Sequence, residues 1–511
     1  MPRLSSHVLQ RTLVERSPRE EKRTRALTAV GGQRSVNRWA VLVLLVLAGV
    51  LAYTAFQWGG VVRTGRYQYL LVLGLLAMIL SLGRSQNARL PLPCRLLRWA
   101  AVLLPAYVLF QVVPLPAAVL RVLSPARAEA MDALGPVGAK VSFASLSVFP
   151  AGTFQYFLLV CGYLVIFLLV RELAWRFRDR RWLVTWPILG IAGLEAGLGL
   201  WQYFGGTGEQ VRWGTYANHN HYAGFLEMAL PFAVMYPVAD LRRAHSRWHS
   251  SAAPALAASG AWALAGLMFA GIIYSFSRMA FIATLFSLFL MGTLALGTTQ
   301  LSWVMRSRRR RWVGVGMIAA LVLAGFVFLP PERLIRRFAE FVSIDGLTSN
   351  GRTDLLAETI PLIRAYPVFG CGLGGYETAF SRFKISGVLV TDDFVHNDYL
   401  QLLAELGLVG FAIGAVLAFS VVRIALHGAV KSLDPEARYF AVACVGALAA
   451  IGLHSLADFN LYIPANAMLL AWIAGIAMAA GVRETSMNVR EHFEYPNVAI
   501  GEAVAIGSSV R

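Results

Sequence analysis

Twelve long apolar stretches constrain the fold of this chain more than any other feature of its sequence. They are Trp39–Phe56, Tyr67–Leu82, Leu96–Leu115, Gly152–Val170, Trp182–Phe204, His221–Val238, Ala253–Tyr274, Met279–Gly297, Trp312–Leu329, Leu406–Leu426, Ala437–Ala457 and Leu461–Gly481. Most approach or exceed the roughly 20 residues that a helix needs to cross about 30 Å of hydrocarbon. Lipid offers no partner to backbone amides, so each stretch should be a helix. The pattern predicts an all-α polytopic membrane protein with about 12 transmembrane helices.

The excess of basic residues follows the same stretches. The formal net charge is +18, yet only 14% of the residues are charged. Arginines and lysines are concentrated before the first stretch and after even-numbered ones, at 3–38, 84–95, 171–181, 242–247 and 306–311. This alternation is the positive-inside pattern, and it predicts that both termini are cytoplasmic. Because topology accounts for the charge, we expect no nucleic-acid partner.

This orientation divides the chain into five predicted parts. They are a basic cytoplasmic tail over 1–38, transmembrane helices 1–9 over 39–329, a large periplasmic loop over 330–405, transmembrane helices 10–12 over 406–481, and a cytoplasmic tail over 482–511. In the large loop, the apolar spacing predicts a helix over Thr353–Ala365, and Gly370–Gly375 predicts a turn. Asp392 and Asp393 are placed to cap a further helix that runs into the tenth span.

Three residues on the external side could carry chemistry at a membrane surface. Arg278 ends a tight connection between spans seven and eight, where an arginine either extends toward headgroups or binds a phosphate with its planar fork. Arg352 opens the loop helix, against the helix dipole; its alternative role is a salt bridge to a loop acid. His396 could act as a general base near neutral pH, or serve only as a hydrogen-bonding loop residue.

Other features bear on rival functions. The glycine run follows no strand, so a dinucleotide site is excluded, and no Cys/His spacing indicates a metal. Glu195 and Glu227 lie inside predicted spans, where acids often mark transport pathways, but the sequence offers neither of them a partner. A polytopic transporter or flippase of lipid-linked glycans is the principal alternative to an enzyme. A non-catalytic membrane scaffold is the third class.

Taken together, the external motifs form an ordered series. The series is Gln111–Pro116 with Leu123–Pro125, Gly214–Ala223, Ser275–Arg278, Gly351–Arg352, Tyr366–Gly372, His396–Leu400 with Glu405–Gly407, and His454–Asn460. In order, spacing and sidedness it resembles the O-antigen ligase and polymerase superfamily of bacterial envelope glycosyltransferases. The resemblance extends from Gln111 to Asn460, which is most of the predicted membrane domain.

The resemblance implies a GT-C-like membrane glycosyltransferase in the bacterial inner membrane, with its active face in the periplasm. The donor would be a glycan on undecaprenyl diphosphate and the acceptor a glycan or lipid A-core, in contact with membrane lipids. No cofactor or metal is implied. By motif match, Arg278 and Arg352 would bind the donor diphosphate, and His396 would activate the acceptor hydroxyl. The motifs do not separate a ligase from a polymerase.

Supporting roles in substrate binding are expected for eight further residues on the external side. They are Arg212, Asn218, His219, Asn220, His221, Arg364, Asn397 and Asp398. Among them, Arg212 and Arg364 are further candidates for the diphosphate, and the residues of 218–221 either bind sugar hydroxyls or cap the sixth span. His454 and Asp458 are expected to orient the outer ends of the late spans.

Overall fold

The computed structural model describes residues 38–82, 94–133, 141–205, 213–246, 252–297, 352–385 and 393–480. Within these ranges the helices are α1 (Arg38–Phe56), α2 (Arg63–Leu82), α3 (Arg95–Phe110), α4 (Ala117–Leu123), α5 (Pro125–Asp132), α6 (Pro150–Arg176), α7 (Trp186–Phe204), α8 (His219–Ser246), α9 (Ala252–Tyr274), α10 (Arg278–Gly297), α11 (Arg352–Ala365), α12 (Tyr376–Phe380), α13 (Asp398–Lys431), α14 (Pro435–His454) and α15 (Pro464–Ala480). Short 3-10 helices occur at Trp58–Gly60, Arg178–Thr185 and Asn460–Tyr462. Between α3 and α6, two-residue strands β1 (Leu115–Pro116) and β2 (Phe143–Ala144) pair antiparallel.

The helices confirm an all-α protein of the polytopic membrane class. Eight segments in the described ranges are long and apolar enough to cross a membrane: α1, α6, the segment Arg178–Phe204 that ends with α7, α8, α9, α10, α13 and α14. Shorter apolar helices are present at Gly65–Ile79 and Pro464–Ala479, within α2 and α15. The predicted ninth span, Trp312–Leu329, lies outside the described residues. The total of twelve spans and the GT-C-like architecture therefore stay predictions.

The centre of the bundle is formed by α8 and α14. In their most apolar windows 83% and 78% of residues are buried, against 22% in α13 and 33% in α10. α8 packs against α9 and α14, and α14 packs in turn against α10 and α13. Lipid-facing helices need only an apolar surface, whereas a central helix must match several neighbours. The small and aromatic side chains of α8, such as Phe225 and Phe232, are accordingly buried.

Both acids inside the predicted spans have partners in the structure. The carboxylate of Glu227 in α8 lies 2.9 Å from Nδ1 of His454 in α14, and both side chains are fully buried. Glu195 in α7 accepts hydrogen bonds from the backbone nitrogen (2.9 Å) and the hydroxyl (2.6 Å) of Thr215. The interpretation of the sequence, which offered neither acid a partner, was wrong. Buried charge needs such pairing, because an unpaired carboxylate in a low-dielectric interior is strongly destabilising.

α13 confirms that the helix predicted near the end of the loop continues into the apolar stretch Leu406–Leu426, the predicted tenth span. Its first residue is Asp398, and the cap is Asn397, whose side-chain oxygen accepts from the nitrogens of Tyr399 and Leu400. Asp393, predicted as a cap, lies four residues before Asn397, and its neighbour Asp392 lies outside the described residues. The helix therefore begins later than its acidic residues indicate.

A kink in α13 creates the docking surface for the glycine turn. Gly407 has φ +60° and ψ −173°, a conformation essentially restricted to glycine. Around this kink the backbone of 404–409 bonds with the segment 366–375: Cys371 N donates to Ala404 O (3.0 Å) and Leu408 N to Pro367 O (2.9 Å). A Cβ at Gly407 would overlap the backbone of Gly370. The predicted turn is thus confirmed, and it is fastened to the bundle.

Candidate functional site

The predicted base, His396, lies in the segment before α13. It is paired with Asp458, which lies in the connection that follows α14. Its Nδ1 is 3.1 Å from Oδ1 of Asp458. The His396 side chain is 26% exposed, whereas that of Asp458 is fully buried. The backbone of His396 has φ +55°, which is uncommon for a residue with a side chain. Such conformations persist where the surrounding contacts impose them, and they concentrate at functional sites.

Two neighbours hold His396 against the connection between α14 and α15. The buried carboxylate of Asp398 accepts from the hydroxyl of Ser455 (2.7 Å) and the nitrogen of Leu461 (3.2 Å). The side-chain amide of Asn397 donates to the carbonyl of Leu456 (2.9 Å) while its oxygen caps α13. Both were predicted to bind substrate, a role that stays a prediction. In this structure their contacts are with the protein and fix the loop that carries His396.

The electrostatics of Asp458 determine which nitrogen of His396 carries the proton. Burial alone would raise the pKa of Asp458. The hydrogen bond from His396 and the nearby imidazoles of His221, His454 and His396 lower it by more than burial raises it, so the pKa lies below its usual range. An ionised carboxylate accepts, and His396 therefore donates from Nδ1–H, a tautomer assigned from this network. Within the described ranges no protein group bonds to Nε2, whose lone pair is left for an incoming hydroxyl.

Aromatic side chains pack beside the His396–Asp458 pair. The ring of Phe459 lies edge-to-face with His396 (centroids 4.9 Å apart) and stacks on Phe394 at 4.1 Å. The same ring meets His221 at 4.6 Å. Apolar rings on these sides exclude water from the buried half of the histidine. Lower local polarity strengthens its hydrogen bond to Asp458.

The direction of the helices near Arg278 follows from contacts along the bundle. α8 runs antiparallel to α14, because His221 lies beside Asp458 and Glu227 bonds with the earlier residue His454. α9 runs antiparallel to α8, because a Cβ at Gly271 near the end of α9 would meet Tyr222 near the start of α8. The turn Ser275–Ser277 then reverses the chain into α10. α10 is therefore parallel to α8 and antiparallel to α14, against which it packs.

This direction sets the height of Arg278 in the bundle. Ser287 of α10 donates to the carbonyl of Gly446 of α14 at 2.8 Å. Arg278 precedes Ser287 by nine residues and Ser455 follows Gly446 by nine, so both lie about 13.5 Å above that contact at 1.5 Å per residue. The half-buried Arg278 thus lies at the level of the turn that leads to Asp458. Predicted base and predicted arginine occupy the same end of the bundle.

The other predicted arginines differ in how far the structure describes them. Arg352 is the first residue of α11, which confirms the loop helix; its side chain lies outside the described part, as does all of Arg212. α11 packs against α13, and Leu355 of α11 belongs to the same hydrophobic cluster as Val395, the residue before His396. Arg364 is exposed in the last turn of α11.

The motif at 218–221 divides into surface and interior residues. Asn218 accepts from the nitrogen of Asn220 at 2.8 Å, as a cap of α8 does, which is one of its two predicted roles. His219 is partly exposed beside Trp213. Asn220 and His221 are buried, and Nε2 of His221 faces Oδ2 of Asp458 at 3.8 Å. Sugar binding by this motif stays a prediction, centred on its two exposed members.

Residues 263–415 match the model of a family described as O-antigen ligase. The matched segment runs from α9 into α13 and so contains Arg278, Arg352 and His396. The match supports membership of the O-antigen ligase and polymerase family. Membership implies a membrane enzyme that joins glycans by a ligase- or polymerase-type reaction. A search of curated proteins finds no match to the chain.

The family match ends before the acid that pairs with the predicted base. Asp458 follows His396 by 62 residues, beyond the matched segment. From the sequence, the only role predicted for Asp458 is to orient the outer end of a late span. Its motif, His454–Asn460, was visible, but no local pattern indicates which carboxylate meets which histidine across such a separation.

Proposed function

We propose that the protein transfers a glycan from undecaprenyl diphosphate to a hydroxyl acceptor at the periplasmic face of the bacterial inner membrane. The observation that carries the proposal is the pairing of His396 with the ionised, buried Asp458. It leaves Nε2 of a partly exposed imidazole as a proton acceptor. The family and the positive-inside pattern of the sequence support the donor class and the sidedness.

In the proposed reaction, His396 accepts the proton of the acceptor hydroxyl at Nε2. The hydroxyl oxygen attacks the anomeric carbon, the bond from that carbon to the diphosphate oxygen breaks, and undecaprenyl diphosphate leaves with its electrons. Direct displacement inverts the anomeric centre. A base of this kind contributes about 10²–10⁴-fold, since a neutral hydroxyl is a poor nucleophile. His396 is exposed enough to return its proton to water.

Arg278 and Arg352 are proposed to stabilise the leaving group. Negative charge grows on the diphosphate as the glycosidic bond breaks, and a guanidinium fork matches phosphate oxygens in a bidentate manner. Arg278 and Arg352 open α10 and α11, and a guanidinium preorganised toward the diphosphate stabilises the growing charge without reorienting. Arg364 and Arg212 are second candidates for the same phosphates, and Asn218 and His219 for sugar hydroxyls.

A transporter or flippase of lipid-linked glycans is the rival function, favoured by one observation. Glu227 and His454 form a buried carboxylate–imidazole pair within the spans, an arrangement that proton-coupled transporters use. The two readings differ in what each residue does. Under the transferase, H396A abolishes glycan transfer in detergent without a gradient. Under the transporter, E227Q is the more damaging change and transfer in detergent is absent.

Gene deletion tests the proposal and separates its two forms. If envelope glycans on a gel lose their long chains but keep one repeat on lipid A-core, the enzyme is a polymerase. Loss of every attached repeat makes it a ligase. An unchanged lipopolysaccharide pattern together with loss of an exopolysaccharide or of a protein-linked glycan assigns a different acceptor. If no glycan changes in length or attachment, the proposed function is wrong.

A further inference from the structure

The carboxylate of Asp458 lies between two imidazoles. Oδ1 is 3.1 Å from Nδ1 of His396, and Oδ2 faces Nε2 of His221 at 3.8 Å. His221 comes from the first turn of α8, and its side chain is 7% exposed. The first contact is a hydrogen bond. The second is about 0.6 Å longer than the upper end of the range for an N–H···O hydrogen bond.

Neither of the two facing atoms has another partner among the described residues. Nε2 of His221 and Oδ2 of Asp458 are both buried without a hydrogen bond. A buried carboxylate oxygen and a buried imidazole nitrogen both lose their hydration on folding, and each is destabilising while it stays unpaired. Since they face each other, closing the gap satisfies both at once. The required tautomer carries the proton of His221 on Nε2.

The surroundings of His221 fix its ring on this line. Its carbonyl accepts from the side-chain amide of Asn466 at 2.9 Å, and Asn466 also donates to Asn460 at 2.8 Å. The ring meets Phe459, the residue after Asp458, edge-to-face at 4.6 Å. These contacts come from α15 and from Phe459, the residue before the 3-10 helix at Asn460–Tyr462. The ring is thus held by the same turn that carries the carboxylate.

We propose that His221 is a positioning residue for glycan transfer: its Nε2–H donates to Oδ2 of Asp458 and keeps Oδ1 aimed at Nδ1 of His396. The inference rests on the proposed function and deepens it, because it adds a third member to the pair that activates the acceptor. His221 does not touch the substrate. It fixes the carboxylate that fixes the base, and outer-sphere hydrogen bonds of this kind are worth about 10–100-fold in activity.

Two substitutions at 221 distinguish donation from packing. Leu fills the site of His221 without a donor, whereas Gln places an N–H near the position of Nε2. With a purified protein and a labelled lipid-linked glycan donor, H221L should lower kcat about 10–100-fold with little change in KM. H221Q should keep kcat within about 3-fold of wild type. A KM effect without a kcat effect would mean that His221 binds sugar, and equal losses for H221Q and H221L in folded protein would make it a packing residue.

A double variant tests whether His221 acts through Asp458. In a D458N chain the carboxylate oxygen that His221 is proposed to hold is replaced, so H221L should cause no further loss. Multiplied losses in the double variant would overturn the inference. Gel filtration in detergent and the thermal midpoint check that each variant is folded.

A readout independent of transfer separates this inference from the proposed function. Diethyl pyrocarbonate acylates neutral imidazole, and the rate at His396 can be followed by peptide mass. A carboxylate partner makes Nε2 more nucleophilic, so D458N and H221L should both slow the reaction while H221Q does not. If wild type transfers no glycan yet shows this pattern, the proposed function fails while the hydrogen bond from His221 to Asp458, and its effect on His396, stands. If transfer depends on His396 but H221L reacts and transfers like wild type, the inference is wrong.

Discussion

The carboxylate of Glu405 holds the glycine turn onto the bundle, and its replacement by Gln should release that turn. Its Oε2 accepts from the nitrogen of Gly374 (2.7 Å) and the hydroxyl of Tyr462 (2.7 Å). Oε1 accepts from the nitrogen of Tyr376 (3.2 Å) and the side-chain amide of Gln401 (3.1 Å). One fully buried side chain therefore serves four donors from three parts of the chain.

The size of the effect follows from which donors can adapt. In E405Q one of the two oxygens becomes an NH₂ group, which cannot accept. The hydroxyl of Tyr462 can turn to accept instead, whereas a flip of the Gln401 amide would break the bond that its oxygen accepts from the nitrogen of Val395 (2.8 Å). A backbone N–H can do neither, so Gly374 or Tyr376 is left without an acceptor. One buried, unpaired N–H costs about 1–3 kcal/mol of stability, and E405A, which leaves all four donors unpaired, should cost more.

The assay compares thermal midpoints in detergent with the rate of proteolysis within 366–385. E405A should be the least stable, E405Q intermediate, and both should be cleaved faster than wild type, because local opening exposes the turn. The matched control is E377Q, an exposed acid in the same segment, which should behave as wild type. If E405Q melts and is cleaved like wild type, the carboxylate does not fasten the turn.

Three further predictions concern backbone, charge and phosphate binding. G407A should misplace the turn at 366–375 and lower the thermal midpoint, because a Cβ at 407 would overlap Gly370 and because glycine alone adopts the backbone conformation of residue 407 readily. A thermal midpoint equal to that of wild type would contradict this prediction. The pKa of Asp458 is lower in the folded than in the unfolded protein, so its ionisation stabilises the fold above the unfolded value of about 3.9. The difference in midpoint between wild type and D458N should therefore shrink as the pH falls toward and below that value, and a difference that grows on acidification would refute it. R278K should lose about 10-fold or more in transfer rate, because an ammonium cannot bind two phosphate oxygens as a fork does, and R278A should lose more; equal rates for R278K and wild type would remove Arg278 from the site.

The parts of this fold that the sequence predicts are those governed by local rules. Apolar length predicts the spans, and apolar spacing predicts the loop helix α11, which begins at Arg352 as its motif indicates. The turn at 370–375 follows from its glycines, of which Gly370, Gly372 and Gly374 have positive φ. The start of α13 was misplaced because several polar residues in 392–398 can cap a helix. Tertiary bonds to the α14–α15 connection select Asn397.

The candidate site was predictable in its residue types and not in its pairings. His396 and Arg278 were identified by motif, and contacts along the bundle bring them to one end. His396 pairs with Asp458, which lies in the turn after α14, more than fifty residues away. Glu227 pairs with His454 at the end of α14, more than two hundred residues away. Which acid meets which histidine depends on how α8, α13 and α14 pack. No periodicity in a single sequence encodes that choice.

The central claim is that His396 activates an acceptor hydroxyl, and transfer by purified protein tests it most directly. The assay joins a labelled undecaprenyl-diphosphate glycan to acceptor in detergent, without ATP or a gradient, and compares wild type with H396A. The matched control is H427A, a histidine of α13, the helix that begins two residues after His396; it lies roughly 44 Å along that helix from its start. H396A should lower the rate at least about 10²-fold, while H427A should retain it. Near-wild-type transfer by folded H396A would show that His396 is not the base.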